Sequence, residues 1–128
     1  MCNIWEQKKG FEFSPEQLKT ILHDDLFKNV EHIGVTGGEP TMREDLPDIY
    51  EAIIDAIPNI KGVSTITNCI KENDVKDRIE KVAQVCQKHK KPFSMMVSLD
   101  GFGEVHDKIR GREGNFKSAI NIINHFKE

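Results

Sequence analysis

The residue types that could bind a ligand stand in three short stretches, each directly behind an apolar run. The stretches are Gly37-Gly38-Glu39-Pro40 behind EHIGVT, Asn68-Cys69 behind GVSTIT, and Ser98-Leu99-Asp100 behind PFSMMV. Paired glycines let a ligand approach the backbone closely, and Glu39 offers a carboxylate that could pair with an ammonium group. Ser98 and Asp100 share one strand face, because strand side chains alternate, and they suit a ribose or another polar ligand.

Each stretch also has a structural interpretation that the residues alone leave open. The glycine stretch could be an ordinary strand-to-helix turn whose glutamate is solvated. Asn68 could bind a ligand or form a local turn bond to its own backbone. Cys69 could be a reactive thiol or a small buried hydrophobe, and the second interpretation is favoured.

A charged stretch follows the third apolar run. It comprises His106, Asp107, Lys108, Arg110 and Arg112. A salt-bridged surface loop would explain it, and so would an Asp107 that orients His106 structurally.

Composition limits the classes of function. The chain has 128 residues and a formal net charge of −3, which provides no electrostatic attraction for nucleic acid or an anionic membrane. No apolar run approaches the roughly 18 residues that a membrane span requires. The three cysteines, Cys2, Cys69 and Cys86, show neither a disulfide framework nor the paired spacing of a zinc site. We therefore expect a single-domain protein of the reducing cytoplasm.

Hydrophobic periodicity predicts the helices that must position these stretches. Ser14 is expected to cap the first helix, with Gln17 completing a capping box. The second helix is expected to begin at a capping box of Thr41 and Glu44, and the last to have Asn115 as its cap. Residues predicted to be buried at helical spacing are Leu18, Ile21, Leu22 and Leu26; Leu46, Ile49, Ile53 and Ile57; Val75, Ile79, Val82 and Cys86; and Phe116, Ala119, Ile120 and Ile123.

Helices that alternate with short strands predict an α/β fold, a parallel sheet of βα units. Two closures are open: a small sheet with helices on both faces, or an arc of a βα barrel. The nearly continuous apolar run PFSMMV suggests a third strand covered on both faces. In either closure, the carboxyl ends of the strands form the ligand edge, and the three polar stretches all lie there.

Three segments, in order along the chain, resemble the radical S-adenosylmethionine (radical SAM) enzymes. MCNIW resembles the end of that family's cluster motif, CxxxCxΦC. VTGGEPTMREDLPDI resembles its strand-loop-helix segment, and SLDGFGEVHDKIRGREGNFKSAINII resembles its fourth-strand region. The last segment is most similar to members that modify peptides or feed cofactor and haem-like pathways, including those with C-terminal SPASM-type extensions. The resemblance covers essentially the whole chain.

The resemblance implies a set of binding residues and no catalytic side chain. The GGEP loop would hold the amino group of S-adenosylmethionine, Ser98 its carboxylate or ribose, and Arg110 the same carboxylate. Asn68 and Asp100 are weaker candidates. The implied cofactor-binding residues are Gly37, Gly38, Glu39, Pro40, Asn68, Ser98, Asp100 and Arg110, with Cys2 as the metal ligand.

The resemblance also implies an activity. A [4Fe-4S] cluster held by three thiolates would reductively cleave S-adenosylmethionine to a 5′-deoxyadenosyl radical, which abstracts hydrogen from a substrate. The whole enzyme would be of oxidoreductase type and would take electrons from a donor such as flavodoxin or ferredoxin. The family fold is a partial (β/α)6 TIM-like barrel, of which this chain would form an arc.

The sequence departs from the family pattern in several places. Cys2 stands where the third cluster cysteine is expected, and TNC replaces the more usual TNG at Cys69. Residues 1–128 are expected to be a partial core domain, incomplete at both ends, without the first two cluster cysteines, the first strand and the last two βα units. We expect this chain alone to assemble no complete cluster and to have no turnover. Unpaired sheet edges would favour a dimer or a swapped assembly.

Two other classes of function are open. A cluster-free α/β module could use the GGEP loop to bind S-adenosylmethionine or a nucleotide without catalysis. A response-regulator-like open sheet could act through partners, but it would require clustered acidic residues at the tip of the first strand. Only Glu39 stands there.

Overall fold

The computed structural model describes residues 10–127. Helices alternate with strands along these residues, which confirms the predicted α/β class. The α-helices are α1 (Pro15–Leu22), α2 (Leu46–Ala56), α3 (Glu72–Lys88), α4 (Glu104–Arg110) and α5 (Asn115–Phe126). The strands are β1 (His32–Val35), β2 (Gly62–Thr67) and β3 (Phe93–Val97), and short 3₁₀ helices cover Asp25–Phe27 and Pro40–Met42.

The strands form one parallel sheet in the order β1-β2-β3. Ile33 of β1 lies opposite Val63 of β2, which lies opposite Phe93 of β3. Parallel neighbours need a crossover connection, and here α2 and α3 provide it. All three carboxyl ends therefore lie at one edge of the sheet.

Helices cover one face of the sheet and leave the other open. The strand side chains that join the apolar core belong to the covered face: Ile33, Val35, Val63, Phe93, Met95 and Val97. On the opposite face Gly34, Ser94 and Met96 are exposed, Met96 to 57%. Among the described residues, a third strand covered on both faces is therefore a wrong prediction, and of the two open closures the sheet with helices on both faces is not the one observed. Helices on the outer face alone are the arrangement of an arc of an open βα barrel.

Helices α2 and α3 bury the stripes that their spacing predicts. Residues of these stripes with at most 7% exposure are Leu46, Ile49, Ile53, Ile57, Val75, Ile79, Val82 and Cys86. Ser14 caps α1 and forms the predicted capping box with Gln17. Two residues of the predicted α1 stripe are exposed rather than buried: Ile21 to 40% and Leu26 to 79%, the latter because α1 ends at Leu22 and Leu26 lies in a 3₁₀ turn.

Two predicted helix starts are wrong, and the reason is similar. Helix α2 begins at Leu46, because the residues from Pro40 form a separate 3₁₀ turn in which Thr41 bonds to Glu39. Helix α5 has Gly114 as its N-cap, and the side chain of Asn115 is buried and bonded elsewhere. In both places the polar side chain that was expected to cap the helix is hydrogen-bonded to a residue of a loop instead: Thr41 to Glu39, and Asn115 to the carbonyls of Asn68 and Cys69.

The buried face of α5 also differs from its prediction. Ala119 and Ile122 are fully buried, whereas Ile120 and Ile123 are half-buried. None of the helices among residues 10–127 is long and apolar enough to cross a membrane.

Candidate functional site

Glu39 joins the loop behind β1 to the end of β2. Its Oε1 accepts hydrogen bonds from the backbone N–H of Thr41 (3.2 Å) and from the Thr41 hydroxyl (2.7 Å). Its Oε2 accepts from the Thr67 hydroxyl (3.0 Å) and from the Asn68 N–H (2.7 Å). A carboxylate offers about four acceptor positions, so this one is fully used within the chain. Glu39 is therefore not a solvated turn residue, and its side chain fastens the loop.

The backbone at Gly37 is open where the Glu39 side chain is engaged. Gly37 is exposed and has a φ of +148°, a region that favours glycine. A Cβ placed there would meet no atom within 4 Å, and no hydrogen bond among residues 10–127 involves the Gly37 backbone. Pro40 is buried and begins the 3₁₀ turn that fixes the exit of the loop. A ligand can therefore approach this backbone directly.

Asn68 connects the loop behind β2 to the loop behind β1. Its Oδ1 accepts from the Ile70 N–H (3.2 Å), which is the local turn bond, and its Nδ2 donates to the Gly38 carbonyl (3.2 Å). The Asn68 side chain thus fixes its own loop through Oδ1 and joins it to the loop behind β1 through Nδ2.

Cys69 is buried in a strained backbone conformation. Its φ is +57°, and its side chain is fully buried. The resembling family more often has glycine at this position, which adopts a positive φ without steric cost. Burial raises the pKa of the thiol to about 11, and the charges of Glu39 and Arg110 also act on it, which shows that the loops converge here. A protonated, enclosed thiol supports the small-hydrophobe interpretation.

The loop behind β3 brings an arginine to the same edge. Ser98 lies at the strand tip, where its N–H donates to the Thr67 carbonyl at 3.0 Å. The Arg110 Nε lies 2.5 Å from the Asp100 Oδ2, so two predicted ligand residues form an ion pair, although the buried Nε makes no directed hydrogen bond within the described residues. No hydrogen bond among residues 10–127 occupies the two terminal nitrogens of Arg110, which can therefore donate to a ligand carboxylate.

A buried His106–Asn115 pair was not predicted as part of the site. The His106 Nδ1 accepts from the Asp100 N–H (3.1 Å), and the His106 Nε2 lies 3.0 Å from the Asn115 Oδ1. The Asn115 Nδ2 donates to the carbonyls of Asn68 (3.0 Å) and Cys69 (3.3 Å). The only sequence signal was a histidine in the charged stretch, because partners 46 or 47 residues apart leave no local pattern.

The charged stretch is not a surface loop, because Glu104–Arg110 form helix α4, and Asp107 does not orient His106. Its Oδ1 accepts from the Phe116 N–H and its Oδ2 from the Gly114 N–H, both at 2.7 Å. These backbone donors at the start of α5, Phe116 first, hold the pKa of Asp107 below its usual value. Asp107 thus stabilises the start of α5.

Of the two implied cofactors, the described residues fit S-adenosylmethionine better than the [4Fe-4S] cluster. The open backbone at Gly37 and the Arg110 guanidinium are the chemical groups that an ammonium and a carboxylate require. Cys2, the predicted cluster ligand, lies outside the described residues. Cys69 and Cys86 are buried, and burial raises the pKa of Cys86 also to about 11. Within residues 10–127, no three His, Cys, Asp or Glu side chains are grouped to hold a metal ion.

Comparison with known proteins agrees with the resemblance. A family model described as "Radical SAM superfamily" matches residues 1–128. The chain is 29% identical to Fe-coproporphyrin III synthase of Methanosarcina barkeri over 99% of this chain. It is 27% identical to the sporulation killing factor maturation protein SkfB of Bacillus subtilis over 91% of this chain. It is 32% identical to the mycofactocin maturase MftC of Mycobacterium ulcerans over 88% of this chain.

These relatives are much longer than the chain. The match covers 32% of the synthase, 26% of SkfB and 28% of the mycofactocin maturase. The chain therefore spans about a third or less of the length of these three relatives. The part that it spans includes the sheet edge with the GGEP loop.

Proposed function

The chain belongs to the radical SAM superfamily, and we propose that its strand edge binds the methionine end of S-adenosylmethionine. Enzymes of this family use a [4Fe-4S] cluster together with S-adenosylmethionine. When bound, these cofactors supply a 5′-deoxyadenosyl radical for hydrogen abstraction from a substrate. The observation that supports the proposal is that an open Gly37 backbone and an Arg110 guanidinium, whose terminal nitrogens bond to none of the described residues, lie at the same edge of the sheet.

Each predicted residue has a distinct role in this proposal. The backbone of Gly37 and Gly38 accepts the ligand ammonium, while Glu39 and Asn68 hold the loop in position. The Arg110 guanidinium pairs with the ligand carboxylate. Pro40 fixes the loop exit, Asp100 orients Arg110, and the Ser98 hydroxyl serves the carboxylate or the ribose.

The cluster is proposed to involve Cys2 as one of three thiolate ligands. Cys69 and Cys86 are enclosed and far from a thiolate state at neutral pH, so they do not serve. We therefore propose that residues 1–128 are part of a radical SAM core domain that does not hold a complete cluster alone. Anaerobic reconstitution with iron and sulfide tests this, and a stable [4Fe-4S] absorption and EPR signal would contradict it.

Partners are proposed for the whole enzyme and for the chain. The reductive step of an oxidoreductase-type enzyme requires an electron donor, such as flavodoxin or ferredoxin. Among residues 10–127, β1 and β3 each have one edge without a paired strand, which favours association of two chains. Sedimentation should show a dimer, and a strictly monomeric species would count against it.

A titration with S-adenosylmethionine, followed by NMR on the iron-free chain, tests the binding proposal. We expect weak binding, with shifts of the Gly37, Gly38 and Arg110 amides, because the cluster contributes the remaining affinity. Arg110→Gln should weaken binding roughly tenfold or more, since a charged hydrogen bond contributes about 1.5–3 kcal/mol. Arg112→Gln is the matched control, because Arg112 is exposed in the same stretch. No shift at this edge at saturating ligand would overturn the proposal.

The same titration separates the proposal from a cluster-free binding module. Such a module would bind the ligand tightly, with a micromolar Kd, in the absence of iron. The response-regulator-like alternative is not supported, because the family match spans the whole chain.

A further inference from the structure

His106 is the centre of a hydrogen-bond chain whose direction is determined. Its side chain is fully buried, and its Nδ1 lies 3.1 Å from the Asp100 backbone nitrogen. A backbone N–H can only donate, so Nδ1 must offer a lone pair. The ring proton of the neutral imidazole is therefore on Nε2, which donates to the Asn115 Oδ1 at 3.0 Å.

The bond from His106 determines the orientation of the Asn115 amide. Because Oδ1 accepts from His106, Nδ2 points to the Asn68 and Cys69 carbonyls and donates to both. A flipped amide would place Oδ1 against two carbonyl oxygens and leave three buried acceptors without donors. The side chain is 2% exposed, so water offers little compensation. The pair thus has one satisfied arrangement.

This chain of bonds joins the three loops of the candidate site. Asn68 continues it through its N–H to Glu39 and through its Nδ2 to the Gly38 carbonyl. At its other end, His106 and Arg110 are four residues apart on α4 and so share one side of that helix. Moving His106 would therefore move Arg110 relative to the GGEP loop.

We infer that His106 and Asn115 are positioning residues, which hold the carboxylate-binding Arg110 in register with the ammonium-binding loop through Asn68. The inference rests on the proposed function for the identity of the ligand. The coupling of the loops does not depend on the ligand and can be measured without it.

His106→Phe is the principal test, because phenylalanine keeps the ring and its contact with Phe116 but has no polar atom. Amide hydrogen exchange of the iron-free chain should become faster at Asp100, which loses its acceptor, and also at Asn68, whose N–H bonds to Glu39. The affinity for S-adenosylmethionine should fall roughly tenfold, within the usual range of coupling between sites. His125→Phe is the control, because His125 is exposed and contacts Glu80 and Phe126, which lie outside this hydrogen-bond chain.

His106→Gln is the conservative variant. Its amide can donate to the Asn115 Oδ1, so exchange at Asn68 should return toward the wild-type rate while Asp100 stays fast. If His106 had only a packing role, the exchange rates at Asn68 and Asp100 would not differ in this way. The ¹⁵N shifts of the wild-type ring should show a proton on Nε2 and a lone pair on Nδ1.

The outcomes separate this inference from the proposed function. Unchanged exchange at Asn68 in a folded His106→Phe variant would overturn the inference, whatever the wild type binds. If His106→Phe does not fold, wild-type exchange at both amides in His106→Gln would overturn it instead. If the wild-type chain does not bind S-adenosylmethionine, the proposed function is overturned, and so is the role of His106 and Asn115 in ligand binding. The exchange rates at Asp100 and Asn68 still decide whether the loops are coupled.

Discussion

The helix-covered core and the carboxyl edge of the sheet are stabilised in different ways. In the core, Leu46, Ile53 and Val82 are at most 3% exposed and pack among apolar neighbours without directional bonds. At the edge, Glu39 and Asn115 make hydrogen bonds in which every donor meets one acceptor. We therefore expect the core to contribute most of the free energy of unfolding, and the edge to set the position of the groups that would bind a ligand.

Leu46→Ala should have the largest effect on stability, because Leu46 is fully buried in the core. Truncating a buried leucine costs about 2–5 kcal/mol. Urea unfolding followed by circular dichroism measures this loss. After correction for the lower global stability, the amide exchange rate at Asn68 should equal that of the wild type. A faster rate that is confined to the edge would contradict the separation of the two regions.

Thr67→Val tests the edge at nearly constant volume. The Thr67 hydroxyl donates to Glu39 and accepts from the Cys69 N–H, and both bonds are lost in valine. Leaving buried polar groups unsatisfied costs about 1–3 kcal/mol. Thr67→Ser is the control, because it keeps the hydroxyl. Equal unfolding midpoints in urea for the two variants would show that these bonds contribute nothing.

The two buried cysteines should respond differently to glycine. Cys69→Gly removes a side chain but relieves a left-handed backbone conformation, which costs a non-glycine residue about 1–2 kcal/mol. Cys86→Gly leaves a cavity and places glycine inside α3, where it costs about 1 kcal/mol relative to alanine. Chemical unfolding should show Cys69→Gly close to the wild type and Cys86→Gly clearly less stable. The reverse order would contradict the strain at Cys69.

The smallest effect concerns pH and the start of α5. The folded state holds the pKa of Asp107 below its unfolded value near 3.8, so its stabilisation is present above that pH. It is lost as the pH falls through the folded pKa. Between pH 7 and pH 3, Asp107→Asn should therefore lose less stability than the wild type. Urea unfolding at each pH measures the difference, and equal losses in the two proteins would contradict this role of Asp107.

Local pattern was sufficient for most of the elements and for the buried faces of α2 and α3, but it did not predict helix α4 in the charged stretch. The Ser14 capping box, the stripe from Leu46 to Ile57 and the parallel βα order all follow from neighbours within a few residues. Pattern failed for β3, because an apolar run does not reveal whether a second layer exists to cover it. It also failed at Thr41 and Asn115, where a capping residue type forms a different bond.

The sequence by itself determined the α/β class, the radical SAM motifs and the set of residues at the strand ends. Only the tertiary structure decided what those residues do. Glu39 meets Thr67 across 28 residues, and Asn115 meets Asn68 across 47. A hydrogen bond depends on the distance and direction between two atoms, which helical and strand periodicity do not encode. The GGEP loop is visible in the sequence, whereas the pair that aligns it with Arg110 is visible only in the fold.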